Sequence, residues 1–167
     1  MPTTCKLIAK NVLGSDSAST SFTSIPATYD DLIVIVSGRS TISALATDLF
    51  MGINGSTSNF TTRFLYGTGA SALSSAQSQR YAGTLVGATA TSNTFASNEI
   101  YIPNYRGSTN KSISATAVSE NNGTTAYILA FATLWSNTAA ITSLEFASNS
   151  GNIATGSSFF LYGITKA

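Results

Sequence analysis

The residues Y-D-D-L-I-V-I-V-S-G-R-S at Tyr29–Ser40 carry the clearest secondary-structure signal in this chain. Their centre, Leu32–Val36, is a run of five apolar and mostly β-branched residues between turn-forming residues. This pattern is typical of a short strand that is buried on both faces. The run is too short to cross a membrane, and Pro26 just upstream disfavours a long helix. We therefore predict a central β-strand here.

Short apolar or alternating segments recur along the chain, and no amphipathic helical pattern interrupts them. With Leu32–Val36 they make roughly ten predicted strands at short, regular spacing, which indicates an all-β, antiparallel β-sandwich. We predict a single sandwich domain over residues 1–167, with a jelly roll as the favoured topology and an up-and-down barrel as the alternative. The other predicted strands are Lys6–Leu13, Thr20–Ile25, Asp48–Asn54, Phe60–Tyr66, Arg80–Gly87, one within Phe95–Tyr105 that ends at Pro103, Lys111–Ser119, Ala126–Trp135, Ile141–Ala147 and Ser158–Thr165.

Three local patterns give finer predictions. Asn54-Gly55 is the strongest hairpin signal in the chain, so the strand before it should pair with Phe60–Tyr66. Asn121-Asn122-Gly123 predicts a turn before Ala126–Trp135. That segment should be a central strand, with large side chains in the core and small ones against a second surface.

The segment Gly67–Gln79 is low in complexity, and Leu73 is its one large apolar residue. One interpretation is a long flexible loop or a weak helix; the other is an arm that packs on a neighbouring subunit. In the second case Leu73, Gln77 and Gln79 are the candidate interaction residues.

Composition excludes some functions and favours others. Only 9% of the residues are charged, and 8 basic against 7 acidic residues leave a net charge of +1, so no basic field exists to bind nucleic acid. No charged segment followed by an apolar stretch opens the chain, so we expect neither a signal peptide nor a membrane partner. Such a charge-poor surface is unusual for a dissolved monomer. We expect faces packed against copies or partners.

The search for catalytic residues gives almost nothing. The chain has no histidine, and its single cysteine, Cys5, has no histidine partner and cannot form an intrachain disulfide. Neither a G-x-S-x-G motif nor a phosphate-binding G-x-x-x-x-G-K-[ST] loop occurs. The carboxylates are scattered, apart from Asp30 and Asp31, which should face opposite sides of a strand. We expect no enzymatic activity, no metal site and no cofactor.

The triplet Asn104-Tyr105-Arg106 permits two interpretations. A tyrosine ring beside an amide and a guanidinium group suits a carbohydrate-binding surface, where the ring stacks on a sugar. The structural interpretation, which we favour, is that Tyr105 closes the core at a strand end with its hydroxyl in water. Tyr105 and Arg106 are therefore further candidate interaction residues.

Four stretches together resemble a family of small structural proteins of tailed bacteriophages, found in cyanophages and other aquatic phages. They are F-T-S-I-P-A-T-Y-D-D-L (Phe22–Leu32), I-Y-I-P-N-Y (Ile100–Tyr105), L-W-S-N-T-A-A-I-T-S-L (Leu134–Leu144) and G-S-S-F-F-L-Y-G-I (Gly156–Ile164). The similarity extends over nearly the whole chain, from about Thr4 to Ile164, and its shared positions are turns and core residues.

The resemblance implies a non-enzymatic virion protein and carries no catalytic residues over to this chain. Its principal implication is a capsid cement or decoration protein that forms a homotrimer and binds the major capsid protein on the capsid surface. The alternative is a tail-fibre or receptor-binding module that recognises host surface polysaccharide. Because no long shaft precedes the domain in this sequence, we expect the stand-alone decoration role.

Overall fold

The computed structural model describes residues 4–120, 122 and 126–165, and this part of the chain contains strands and turns without a helix. Its strands are β1 (Cys5–Val12), β2 (Ser19–Phe22), β3 (Asp31–Gly38), β4 (Ala46–Ile53), β5 (Phe60–Gly67), β6 (Ala72–Gln77), β7 (Tyr81–Val86), β8 (Ala96–Ile102), β9 (Lys111–Ser119), β10 (Tyr127–Trp135), β11 (Leu144–Ser148) and β12 (Ser158–Ile164).

The strands form two antiparallel sheets that pack face to face. The large sheet has eight described strands in the order β1-β12-β3-β8-β9-β10-β5-β6, and the small sheet has four in the order β2-β11-β4-β7. Every described strand pair is antiparallel. The prediction of an all-β antiparallel sandwich is confirmed.

The connectivity is that of a jelly roll with additions. Four nested pairs, β2 with β11, β3 with β8, β4 with β7 and β5 with β6, alternate between the two sheets. This nesting is what a folded ribbon of eight strands produces when it wraps into a sandwich. The hairpin of β9 and β10 is inserted between β8 and β5, while β12 and β1 extend the large sheet beyond β3.

The core lies between the sheets and is filled by alternate residues of each strand. Leu32, Val34 and Val36 of β3 are almost completely buried there. The small sheet contributes Leu49, Met51 and Ile53 of β4, each with no exposed surface. The alternation in the sequence therefore identified the inward face of β4 correctly.

The prediction that β3 is buried on both faces is wrong for its outer face. Ile33 and Ile35, which alternate with the core residues, are only half-buried. The reason is that no third layer from the described residues covers the outside of the large sheet, as would be required for two-sided burial. Neighbouring side chains give partial cover, because Ile33 stands in register with Tyr162 on one side and Tyr101 on the other.

β10 is an interior strand between β9 and β5, as predicted. Its inward residues Leu129, Phe131 and Trp135 are 8%, 4% and 1% exposed. The turn predicted at Asn121–Gly123 falls largely outside the described residues, although β9 and β10 on either side of it do pair as a hairpin.

The predicted hairpin between Asp48–Asn54 and Phe60–Tyr66 is wrong, although the turn itself forms. Ile53 and Ser56 exchange backbone hydrogen bonds around Asn54-Gly55, with N···O distances of 3.1 and 2.8 Å. Pairing then stops, because β4 already has β11 on one side and β7 on the other. The chain crosses instead to the large sheet, where β5 pairs with β10.

The segment Gly67–Gln79 is neither a flexible loop nor a free arm. Ala72–Gln77 within it forms β6, which pairs with β5 over six residues and ends the large sheet. Small and hydroxylated residues hide this strand from pattern analysis, because A-L-S-S-A-Q has little of the β-branched character on which strand prediction relies.

Candidate interaction surface

The outer face of the large sheet carries a cluster of exposed apolar side chains, here called the apolar patch and defined as Leu65, Val118, Ile128 and Ala130. Leu65 and Ile128 are each 63% exposed, and Val118 is 42% exposed. In the strand register Ile128 stands opposite Val118, and Ala130 stands opposite Leu65. Directly opposite residues face the same side of an antiparallel pair, so the patch is continuous across β9, β10 and β5.

An open groove of about 600 Å³ runs over the apolar patch and reaches β6. No charged residue lines it, and Leu73 forms part of its wall. A second groove of about 580 Å³ shares Leu65, Ser74 and Ala130 with the first and continues towards Arg63. Exposed apolar side chains along a groove, on a molecule with few charges, make this face the candidate interaction surface.

The two edges of the large sheet differ in how they are protected against pairing. β1 carries Lys6 and Lys10, and its register with β12 is broken by a bulge between Leu7 and Ala9. β6 has no charged residue and no proline, and its register with β5 is unbroken. Charges and bulges are the usual devices that block strand addition, so β1 is guarded and β6 is open.

Three of the predicted interaction residues lie together at this open edge. Leu73 is 45% exposed on β6, and Gln77 is exposed at the end of the same strand. Gln79 follows β6, and its backbone carbonyl accepts a hydrogen bond from the Thr62 hydroxyl at 2.8 Å. The structure thus brings Leu73, Gln77 and Gln79 to the open edge of the large sheet, where Leu73 stands opposite Tyr66 and Gln77 opposite Thr62.

Tyr105 lies elsewhere and has an internal role. Its side chain is fully buried, its hydroxyl donates to the Pro26 carbonyl, and the Tyr29 N–H donates to that hydroxyl at 3.4 Å. Burial raises the pKa of the Tyr105 hydroxyl. The ring closes the core as expected, but its hydroxyl is bonded inside the protein and not in water, and the ring offers no face to a sugar.

Arg106 is likewise engaged within the chain. Its guanidinium forms an ion pair with Asp30 at 2.6 Å and donates to the Ala27 carbonyl at 3.2 Å. These contacts, with those of Tyr105, hold the loop that leads into β3. Half-exposed ion pairs contribute little stability, so positioning this loop is their main consequence.

A smaller cleft, here called the aromatic cleft, opens between the sheets. β7 is the edge strand of the small sheet and packs over β8, β9 and β10 of the large sheet. β5 lies next to β10, beyond the edge of the small sheet, so part of its inward face is left uncovered. Three half-buried rings of the large sheet therefore line the cleft: Phe64, Tyr66 and Tyr127. The ring centroids of Phe64 and Tyr66 are 5.8 Å apart, and those of Tyr66 and Tyr127 are 6.4 Å apart.

Asp48 is the charged residue among the side chains that line the aromatic cleft, which measures about 240 Å³. Burial raises the pKa of the Asp48 carboxyl above its usual value, and a side-chain hydrogen bond with Asn149 opposes that shift. The pKa of the neighbouring Tyr81 hydroxyl is also raised, mainly by burial of that hydroxyl and further by the negative charge of Asp48. Asp48 is thus a partly desolvated carboxylate beside three aromatic rings.

Lys111 is a buried charge whose partners identify it as structural. The side chain is 1% exposed, and its ammonium group donates to the carbonyls of Gly107 and Thr109, at 2.7 Å in the first case. Burial lowers the pKa of the Lys111 ammonium group. The group therefore ties down the loop before β9.

The described residues contain no group of three or more His, Cys, Asp or Glu side chains that could hold a metal ion. Within residues 4–120, 122 and 126–165 there is also no helix with the length and hydrophobicity of a membrane span.

The sequence contained a signal for the apolar patch that the predictions did not use. Placing Phe64 and Tyr66 on the inward face of β5 necessarily directs Leu65 outward. The same alternation directs Ile128 outward from β10, and Val118 lies opposite it on β9. Large apolar residues that cluster on the outer side of neighbouring strands indicate a candidate contact surface, because an ordinary solvent-exposed face carries mostly polar residues there.

Comparisons with known proteins add little. No protein-family model matches the chain, and no curated protein matches it. Among solved structures, the chain is weakly similar to scytalido-glutamic peptidase with a transition state analog inhibitor. The similarity has a TM-score of 0.24 at 15% identity and covers 91% of this chain and 66% of the peptidase chain, less than two thirds of its length. At that score the likeness carries no argument about fold or function.

Proposed function

We propose that this protein is a non-enzymatic structural protein of a tailed-bacteriophage virion, a capsid cement or decoration protein that binds the major capsid protein as a homotrimer. The observation that carries this proposal is the apolar patch on the outer face of the large sheet. Leu65 and Ile128 at 63% exposure would be left in water in an isolated chain, and burying them in an assembly is favourable.

Another copy of the chain is the occupant that best accounts for the apolar patch. The patch borders the unguarded edge of β6, so one neighbouring copy can contact both the edge and the groove. In a three-fold ring each copy offers this surface to a different surface of the next copy, and the ring closes without leaving an open end. Trimers also match the three-fold positions of an icosahedral capsid.

Localisation in purified virions tests the proposed function. Cryo-electron microscopy should find the sandwich on the capsid surface in groups of three. Gold-labelled antibody against the chain should then mark heads and leave tails unmarked. Labelling confined to tail tips would contradict the decoration role and support the second candidate function described below. Absence of the protein from virions would overturn both structural roles.

The second candidate function is a tail-fibre or receptor-binding module that recognises host surface polysaccharide. Tyr105 and Arg106 do not support it, because both are engaged within the chain. The half-buried rings of Phe64, Tyr66 and Tyr127 favour it, since exposed aromatic rings at a cleft are common in ligand sites. The charge at this cleft, however, points to a different ligand.

A further inference from the structure

The aromatic cleft combines two features that attract the same kind of ligand. The faces of Phe64, Tyr66 and Tyr127 carry the negative end of the ring quadrupole, which attracts cations. Asp48 adds a carboxyl group to the same cleft, and burial leaves its ionised form poorly solvated, so a bound cation would stabilise that form. A neutral ligand would satisfy the hydrogen-bonding capacity of the carboxylate and leave its charge uncompensated.

No cation from the described part of the chain fulfils this role, since no basic side chain lines the cleft. Arg80, which immediately precedes β7, does not neutralise Asp48 in the cleft. Its guanidinium lies over the ring of Phe50, with the guanidinium carbon 5.0 Å from the ring centroid. Arg63 is on the outer face, and Arg106 is paired with Asp30.

The size of the cleft limits the ligand to a small group. Pockets for drug-sized molecules typically measure roughly 300–1,000 Å³. At about 240 Å³ the aromatic cleft suits the end of a side chain or a compact head group.

We propose that the aromatic cleft binds an alkylammonium group, held by the rings of Tyr66, Tyr127 and Phe64 and by the carboxylate of Asp48. The group can come from a small quaternary amine or from a lysine side chain of another protein, and both present the same chemistry. This proposal does not depend on where the protein is located or on how it assembles.

A pair of ligands with the same shape and different charge tests the proposal. Choline carries a trimethylammonium group, and 3,3-dimethyl-1-butanol replaces its nitrogen with carbon and is neutral. Titration monitored by nuclear magnetic resonance should show choline shifting the ring signals of Tyr66 and Tyr127. The neutral analogue should bind about tenfold more weakly or not at all, as a cation–π and charge contact of this kind requires. Equal binding of the two ligands, or no binding by either, would overturn the proposal.

A variant that removes the charge and keeps the shape completes the test. Asp48→Asn should weaken choline binding about tenfold. Glu99→Gln, which removes an exposed carboxylate on the outer face, should leave it unchanged. Unchanged affinity in Asp48→Asn would contradict the assigned role of the carboxylate.

N-acetyl-lysine methylamide distinguishes the two sources of the ligand. Tighter binding of this probe than of choline assigns the cleft to a protein lysine, and the reverse order assigns it to a small quaternary amine. Binding of neutral methyl glycosides in place of both cations would overturn the proposal in favour of a sugar site.

Discussion

Tyr105 fastens the loop before β3 to the turn that follows β8. Its buried hydroxyl donates to the Pro26 carbonyl, and no water is needed to satisfy either group. Tyr105→Phe removes the donor and leaves the Pro26 carbonyl without that partner. A hydrogen bond of this part-buried kind contributes about 0.5–1.5 kcal/mol, so we expect the free energy of unfolding to fall by that amount in urea denaturation. Tyr162→Phe, at a half-buried position on the outer face, should change it little. Equal stabilities of the two variants would contradict this role for Tyr105.

Asp48 should make stability depend on pH in the opposite sense from an ordinary carboxylate. Burial raises its pKa in the folded chain above the unfolded value of 3.8, so the folded state binds the proton more tightly. Stability contributed by this group is therefore present below pH 3.8 and is lost as the pH rises through the raised pKa. Asp48→Asn should melt at a higher temperature than the wild type at pH 7.

At pH 3 the gain from Asp48→Asn should vanish, because Asp48 is then neutral in both folded and unfolded chains. Scanning calorimetry should compare the melting temperatures of the wild type and Asp48→Asn at pH 7 and pH 3. Glu99→Gln, which removes an exposed carboxylate, is the matched control. A stability gain of the same size at both pH values would show that packing, and not charge, causes the effect.

Among the strands, β3 lies inside the large sheet between β12 and β8, and its inward side chains are part of the core. Val34 has no exposed surface, so Val34→Asp places an unpaired charge between the two sheets. We expect a loss of several kcal/mol, enough to unfold a domain of ordinary stability. Ser37→Asp, at an exposed position of the same strand, should fold normally. Far-ultraviolet circular dichroism and thermal melting report both, and a Val34→Asp variant that melts like the wild type would show that β3 is misplaced.

β6 is the element at which self-association should be most sensitive to charge. Ser74 is exposed on this unguarded edge, so Ser74→Lys leaves the isolated chain intact and puts a charge where a neighbour would sit. Val12→Lys adds the same charge to β1, which already carries lysines, and is the matched control. Concentration-dependent protection of the β6 amides from hydrogen exchange should disappear in Ser74→Lys and persist in Val12→Lys. Equal protection in both variants would exclude β6 from the interface.

Local chemistry predicts elements of this fold better than it predicts which elements pair. The alternation of Leu49, Met51 and Ile53 located an inward face, and Asn54-Gly55 located a turn, because both depend only on neighbouring residues. The wrong hairpin followed from treating the turn as sufficient. Partner choice was determined by β11, which arrives some ninety residues later and takes the free side of β4. The sequence around the turn carries no information about which of these strands will pair with β4.

The candidate sites show the same division between local and distant information. The exposure of Ile128 follows from alternation along β10 once its inward face is known. The aromatic cleft could not be inferred, because it depends on where β7 ends the small sheet and on Asp48 reaching the same opening as Tyr127. Those residues are far apart in sequence and are brought together only by the jelly-roll wrapping.

For the molecule as a whole, the central feature is a sandwich with one open face. The inward sides of both sheets pack together except at the aromatic cleft, whereas the outer side of the large sheet carries the apolar patch and few charges. Such a surface has few devices that keep copies apart in solution. The outer face of the large sheet should therefore be covered in the working assembly, which we propose to be a homotrimer.

Sedimentation equilibrium of the purified chain at micromolar concentration tests this claim most directly. The wild type should sediment with three times the mass of one chain, and Ile128→Glu, which places a charge in the apolar patch at a position 63% exposed in the single chain, should sediment as a folded monomer. Ser112→Glu, at an exposed position of the same face away from the patch, should remain trimeric. A wild-type chain that stays monomeric, or an Ile128→Glu chain that assembles as the wild type does, would contradict the account.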